Sequence, residues 1–98
     1  YVDDFISALE RAMNIDHSVY PINFGQEKGY SIAESAKLIK EACDYEGEIV
    51  FDTTFPDGDA VKILGRAHFD KHFPNFSFFD HEEGIKRTVS YYQQKFKE

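Results

Sequence analysis

Five side chains that can carry positive charge fall within eleven residues: Lys62, Arg66, His68, Lys71 and His72. Acidic residues dominate the remainder, 18 Asp and Glu against 11 Lys and Arg in all, for a net charge of -7. A chain of that charge can hold an anion only where it gathers cations locally. Lys62, soon after Asp57-Gly58, is the first candidate for such a contact, because an ammonium is a point charge that suits phosphate without bidentate geometry. Asp57 is the second candidate, as a turn residue or as a partner for hydroxyl groups of a ligand; turn chemistry alone accounts for Asp-Gly. The overall acidity argues against a nucleic-acid surface, which needs many clustered Lys and Arg.

Other spacings suggest chemistry that the rest of the chain does not support. His68 and His72 stand at the i, i+4 spacing of a zinc pair, but Cys43 is distant and alone and no further ligand follows in pattern. Asp57-Gly58-Asp59 is the start of a calcium loop without the later ligands. Tyr91 and Lys95 form Tyr-x-x-x-Lys, in which a lysine lowers a tyrosine pKa for proton exchange. The six glycines, at 25, 29, 47, 58, 65 and 84, compose no dinucleotide-binding fingerprint. The chain is therefore expected to bind no nicotinamide cofactor and no metal by itself.

The elements that must position these residues can be read from periodicity and caps. Asp3 and Asp4 are N-cap candidates for a helix over about 3–14, with Phe5, Ala8, Leu9, Ala12 and Met13 facing inward. Residues 19–24 read as a short strand in which Pro21 has no N–H to pair. Ser31 and Glu34 form a capping box that opens a helix over about 31–44, with Ile32, Ala36, Ile39 and Cys43 on one face. Residues 48–52 read as a strand, 56–59 as a turn, 61–64 as a further short strand and 66–72 as a short helix. Asp80 and Glu83 compose a second capping box, before a helix over about 81–96 with Ile85, Val89, Tyr92 and Phe96 on one stripe. The expected fold class is α/β: three main helices with two or three short strands. So few strands leave open edges, which calls for a partner domain.

The chain has the size of one small domain, and ten Phe and six Tyr supply bulk for a core. No apolar run approaches the roughly 20 residues of a membrane span. The single cysteine reads as a small buried apolar residue in a reducing, cytoplasmic setting. The opening Tyr1-Val2-Asp3-Asp4, without a methionine, reads as the interior of a longer protein.

Four landmarks occur in order over nearly the whole chain. They are Tyr1-Val2-Asp3-Asp4 opening a helix; Ile22-Asn23-Phe24-Gly25 followed by Tyr30-Ser31-Ile32-Ala33-Glu34; Gly47-Glu48-Ile49-Val50-Phe51-Asp52; and Pro56-Asp57-Gly58 before a basic residue, closed by the Glu82-Glu83-Gly84-Ile85 helix with Tyr91-Tyr92. This order resembles the C-terminal part of the extended short-chain dehydrogenases/reductases, the NAD-dependent epimerase/dehydratase family. Asp52 to Gly58 with Lys62, and Phe73-Pro74-Asn75-Phe76-Ser77-Phe78, look most like the GDP-L-fucose synthase family within it. Val61 and Gly65 depart from that pattern, where a basic residue and an Asp are common, which leaves the substrate open.

The resemblance implies a substrate-binding piece of a nucleotide-sugar epimerase/reductase. Its Rossmann half, with the NADP or NAD site and the Ser/Thr, Tyr and Lys catalytic set, would lie upstream. This part would close over a nucleotide-diphospho-sugar, with Lys62 and Asp57 as contacts and no catalytic residue of its own. Tyr91-x-x-x-Lys95 follows the substrate segment, whereas the family's pair precedes the Tyr-Val-Asp-Asp landmark, so it reads as a chance match. The full-length protein is expected to be a cytoplasmic homodimer that binds neither nucleic acid nor membrane. The alternatives are a relative acting on UDP-, dTDP- or CDP-sugars, or a non-enzymatic acidic module that binds a protein through its aromatic residues.

Overall fold

The computed structural model describes residues 1–16 and 20–97. Its elements are α1 (Val2–Ala12), α2 (Ile32–Ala42), α3 (Ala67–His72) and α4 (His81–Lys95). Among the described residues there is no strand, so the α/β expectation is corrected to an all-helical chain with long irregular connections. A strand exists only through the N–H and C=O groups of a neighbour. Residues 48–52 and 61–64 carry the side chains of strands but find no such ladder, and of the expected 19–24 strand, Val19 lies outside the described residues. Ile63 and Leu64 do lie against Gly29 and Gly25, where an added Cβ would stand 2.9 and 3.1 Å from their Cδ1 atoms. That contact is one of side chain on backbone and forms no sheet.

Two compact units divide the chain. The first comprises Tyr1–Gly29 and Val61–Phe79. Its centre is Ala8, Phe69 and Phe73, with Ala12, Ile15, Ile22, Phe24, Phe76 and Phe78 packed around them. The rings meet at offset and edge-on angles, as between Phe69 and Phe73 at 4.8 Å and Phe76 and Phe78 at 4.9 Å. A tight turn delivers the last two. Pro74 and the left-handed Asn75 (φ 62) stand at its centre, and the Phe76 N–H donates to the Phe73 carbonyl at 3.3 Å.

Helix α1 is turned about its axis from the expected setting. Asp4, Ala8 and Ala12 face the core, whereas Val2, Ile6, Leu9 and Met13 are exposed and Phe5 reaches Phe24 at 5.3 Å with half its surface still open. Nor does an aspartate cap this helix: the N-cap is Tyr1, without a side-chain hydrogen bond. The Asp4 carboxylate instead accepts the Phe79 backbone N–H, at 3.1 and 3.2 Å to its two oxygens.

The second unit comprises Tyr30–Ala60 and Asp80–Glu98 and is built on the packing of α2 against α4. The first capping box forms as expected: Ser31 Oγ accepts the Glu34 N–H at 3.0 Å, and Glu34 accepts the Ser31 N–H at 3.1 Å. The end of α2 closes on the left-handed Asp44 (φ 52), with Tyr45 N–H donating to the Lys40 carbonyl and Asp44 N–H to that of Glu41. This is the Schellman arrangement, with aspartate in the place usually taken by glycine. The second capping box is absent. Asp80 makes no side-chain cap, and Glu83 accepts from Arg87 at 3.0 Å instead. Cys43 is exposed rather than buried, as are Ile32 and Ile39 beside it on the expected inner face.

Candidate functional site

The connection from α2 toward α3 carries both sequence-derived candidates, and every residue from Phe51 to Gly65 is exposed. Asp57 belongs to the second unit and Lys62 to the first, each in irregular backbone. The turn expected at 56–59 lies earlier. Asp52 Oδ1 accepts the Thr54 hydroxyl at 2.6 Å and the Thr54 N–H at 3.0 Å, which bends the chain at 52–54. Those two bonds, the hydroxyl first and the amide second, hold the Asp52 carboxyl below its ordinary value of 3.8. Gly58 has no left-handed backbone and nothing within 4 Å of an added Cβ, so Asp57-Gly58 is not held as a tight bend.

The cationic group around Lys62 is split by its own packing. The Arg66 guanidinium lies over the Phe69 ring at 5.3 Å and the Phe78 ring at 5.1 Å, and donates to Asp70 at 2.7 Å. It thus covers the core face of the first unit, and its charge faces a carboxylate. The His68 ring lies against Tyr20 at 5.4 Å, and His72 is half-buried at the end of α3. Lys62, His68 and Lys71 are the exposed members of the group, and of these the two lysines carry a permanent charge. Among the described residues no three His, Cys, Asp or Glu side chains converge as metal ligands. Lys95 Nζ sits over the ring of Tyr91 at 5.8 Å, both on the outer end of α4.

One polar group has no signature in the sequence. Ser35 Oγ and His81 Nε2 lie 3.1 Å apart, and the Tyr30 ring stacks on the imidazole at 4.0 Å. These residues tie the first turn of α2 to the first turn of α4. The two partners are 46 positions apart, and neither falls in a recognisable spacing.

No helix of the described residues is long and apolar enough to cross a membrane. No protein-family model matches the chain, and no solved structure does. Curated proteins do. The chain is 30% identical over 71 residues to GDP-L-fucose synthase of Dictyostelium discoideum, covering 72% of this chain and 22% of that protein. It is 30% identical over 94 residues to putative GDP-L-fucose synthase 2 of Arabidopsis thaliana, covering 94% and 28%. It is 34% identical over 98 residues to GDP-L-fucose synthase 1 of the same plant, again covering 94% and 28%. The chain spans about a quarter of the length of these relatives. Such identity over most of the chain makes it a close relative of the GDP-L-fucose synthases and implies membership of the extended short-chain dehydrogenase/reductase family.

Proposed function

We propose that residues 1–98 are the C-terminal, substrate-binding portion of an NAD(P)-dependent nucleotide-sugar epimerase/reductase of the GDP-L-fucose synthase type. The observation that carries this reading is the identity of about a third to several proteins of that name over most of the chain. The open connection supports it. An exposed lysine on irregular backbone, beside a carboxylate-bearing loop in sequence, is free of the helical packing that commits Arg66. In this reading Lys62 meets the diphosphate or sugar hydroxyls of the substrate, and Asp57 meets the sugar or shapes the loop. NADP or NAD and the proton-transferring side chains belong to the remainder of a longer, cytoplasmic, homodimeric protein. The 98 residues alone are then inactive.

The test is turnover by the full-length protein of GDP-4-keto-6-deoxy-mannose with NADPH, followed by loss of the nicotinamide absorbance. Activity with UDP- or dTDP-sugars and none with the GDP-sugar would move the assignment to another member of the same family. Lys62→Ala should raise KM for the nucleotide sugar about tenfold, the worth of one charged contact, and leave KM for NADPH unchanged. An unchanged sugar KM removes Lys62 from the site.

A further inference from the structure

Helix α1 carries its large apolar side chains on the wrong side for a self-contained fold. Val2, Phe5, Ile6, Leu9 and Met13 recur at three- and four-residue spacing, and are 60, 46, 48, 51 and 81% exposed. The face turned inward presents alanines and Asp4. The opposite arrangement is what apolar burial favours. The inward setting is nonetheless fixed, because Asp4 accepts the Phe79 amide with both oxygens and is only 3% exposed. Rolling α1 to bury its large residues would break that bond.

The amount of open surface speaks for a large occupant. A folded monomer of 11.4 kDa exposes about 5,800 Å², and this chain exposes 8386 Å². The difference, about 2,600 Å², is spread over the whole chain, its long exposed connections as well as α1, and as a total exceeds what a small ligand covers. The relatives are more than three times as long as this chain, so polypeptide of sufficient size has a source.

We infer that the outer face of α1 is a docking seam for the remainder of the longer polypeptide, which rests on the reading of residues 1–98 as one portion of it. The seam is apolar along its length. Leu9 lies at the middle of the stripe, and Asp4 fixes the helix's rotation so that the stripe points outward.

In the full-length protein, Leu9→Asp should lower the thermal midpoint by about 5 °C or more, while Glu10→Gln on the same helix shifts it by about 1 °C or less. Should Leu9→Asp fail to fold, the 98-residue chain and the remainder of the polypeptide, co-expressed as separate pieces, provide the second measurement. The pieces should co-purify, and Leu9→Ala should weaken retention at least tenfold. Unchanged retention and an unchanged midpoint overturn the inference. So does a 98-residue chain that sediments as a dimer dissociated by Leu9→Asp, because a second copy then covers the face. Turnover of the GDP-sugar together with an indifferent Leu9 overturns the seam and leaves the function standing. A Leu9-dependent association without turnover of any nucleotide sugar does the reverse.

Discussion

Asp4 and Asp52 are both carboxylates near the start of a structural element, and their surroundings give them different work. Asp4 is buried and accepts one backbone N–H with two oxygens, tying α1 to the segment that precedes α4. Asp4→Ala removes the carboxylate that accepts the part-buried Phe79 N–H, which costs about 1–3 kcal/mol; Asp4→Asn keeps one acceptor and should cost less. Urea denaturation of the two variants would rank them, and equal midpoints for Ala and wild type would remove the bond from the account. Asp52 is fully exposed, and its carboxyl titrates below 3.8 because the ionised form accepts from the Thr54 hydroxyl and amide. The stabilising contribution of a depressed group is present above 3.8 and is lost as pH falls through the lower folded value. A carbon-detected titration should give Asp52 a midpoint below 3.8, and Thr54→Ala should return it most of the way, since the hydroxyl is the larger cause.

Helix termini show how local signals were honoured or overruled. Ser31 and Glu34 needed only each other and the first turn of α2, so the capping box formed as the spacing predicted. Asp80 and Glu83 have a similar spacing, but Glu83 faces Arg87 one turn on and takes that partner. Ser31→Ala should therefore cost about 1 kcal/mol, and Asp80→Ala a few tenths at most. Thermal melts in which the two losses are equal would refute the distinction. The helices themselves were legible to within two or three residues, because an amphipathic period and a cap are written locally. The strands were not. Ile49-Val50-Phe51 and Val61-Lys62-Ile63-Leu64 have β-forming side chains, yet whether they pair depends on a neighbour's backbone, and none of the described residues supplies one.

Across the molecule the buried apolar set is small for 98 residues: Ala8, Phe69 and Phe73 are the buried hydrophobics among the described residues. Each large apolar side chain left in water forgoes about 1.5–3 kcal/mol of full burial. The chain alone is accordingly expected to be marginal, and to gain stability with any polypeptide that covers α1. A nicotinamide site would need a glycine-rich turn after a strand; the sequence has no such glycine spacing, and the described residues include no strand. Calorimetry on the 98 residues should detect no NADP(H) binding above background, whereas the full-length protein should bind it; micromolar binding by the short chain would contradict the proposed division of labour.

By itself the sequence determined the positions of the four helices, the Ser31 cap and the kinship with nucleotide-sugar enzymes, since each is carried by short-range order along the chain. The tertiary structure alone decided which face of α1 is buried, that Arg66 covers phenylalanines and pairs with Asp70 while Lys62 stays open, and that Ser35 meets His81. Those outcomes turn on single hydrogen bonds and ring contacts between residues far apart in sequence. Periodicity weighs how apolar a face is and contains no information on a distant amide such as that of Phe79, which here set the helix's rotation.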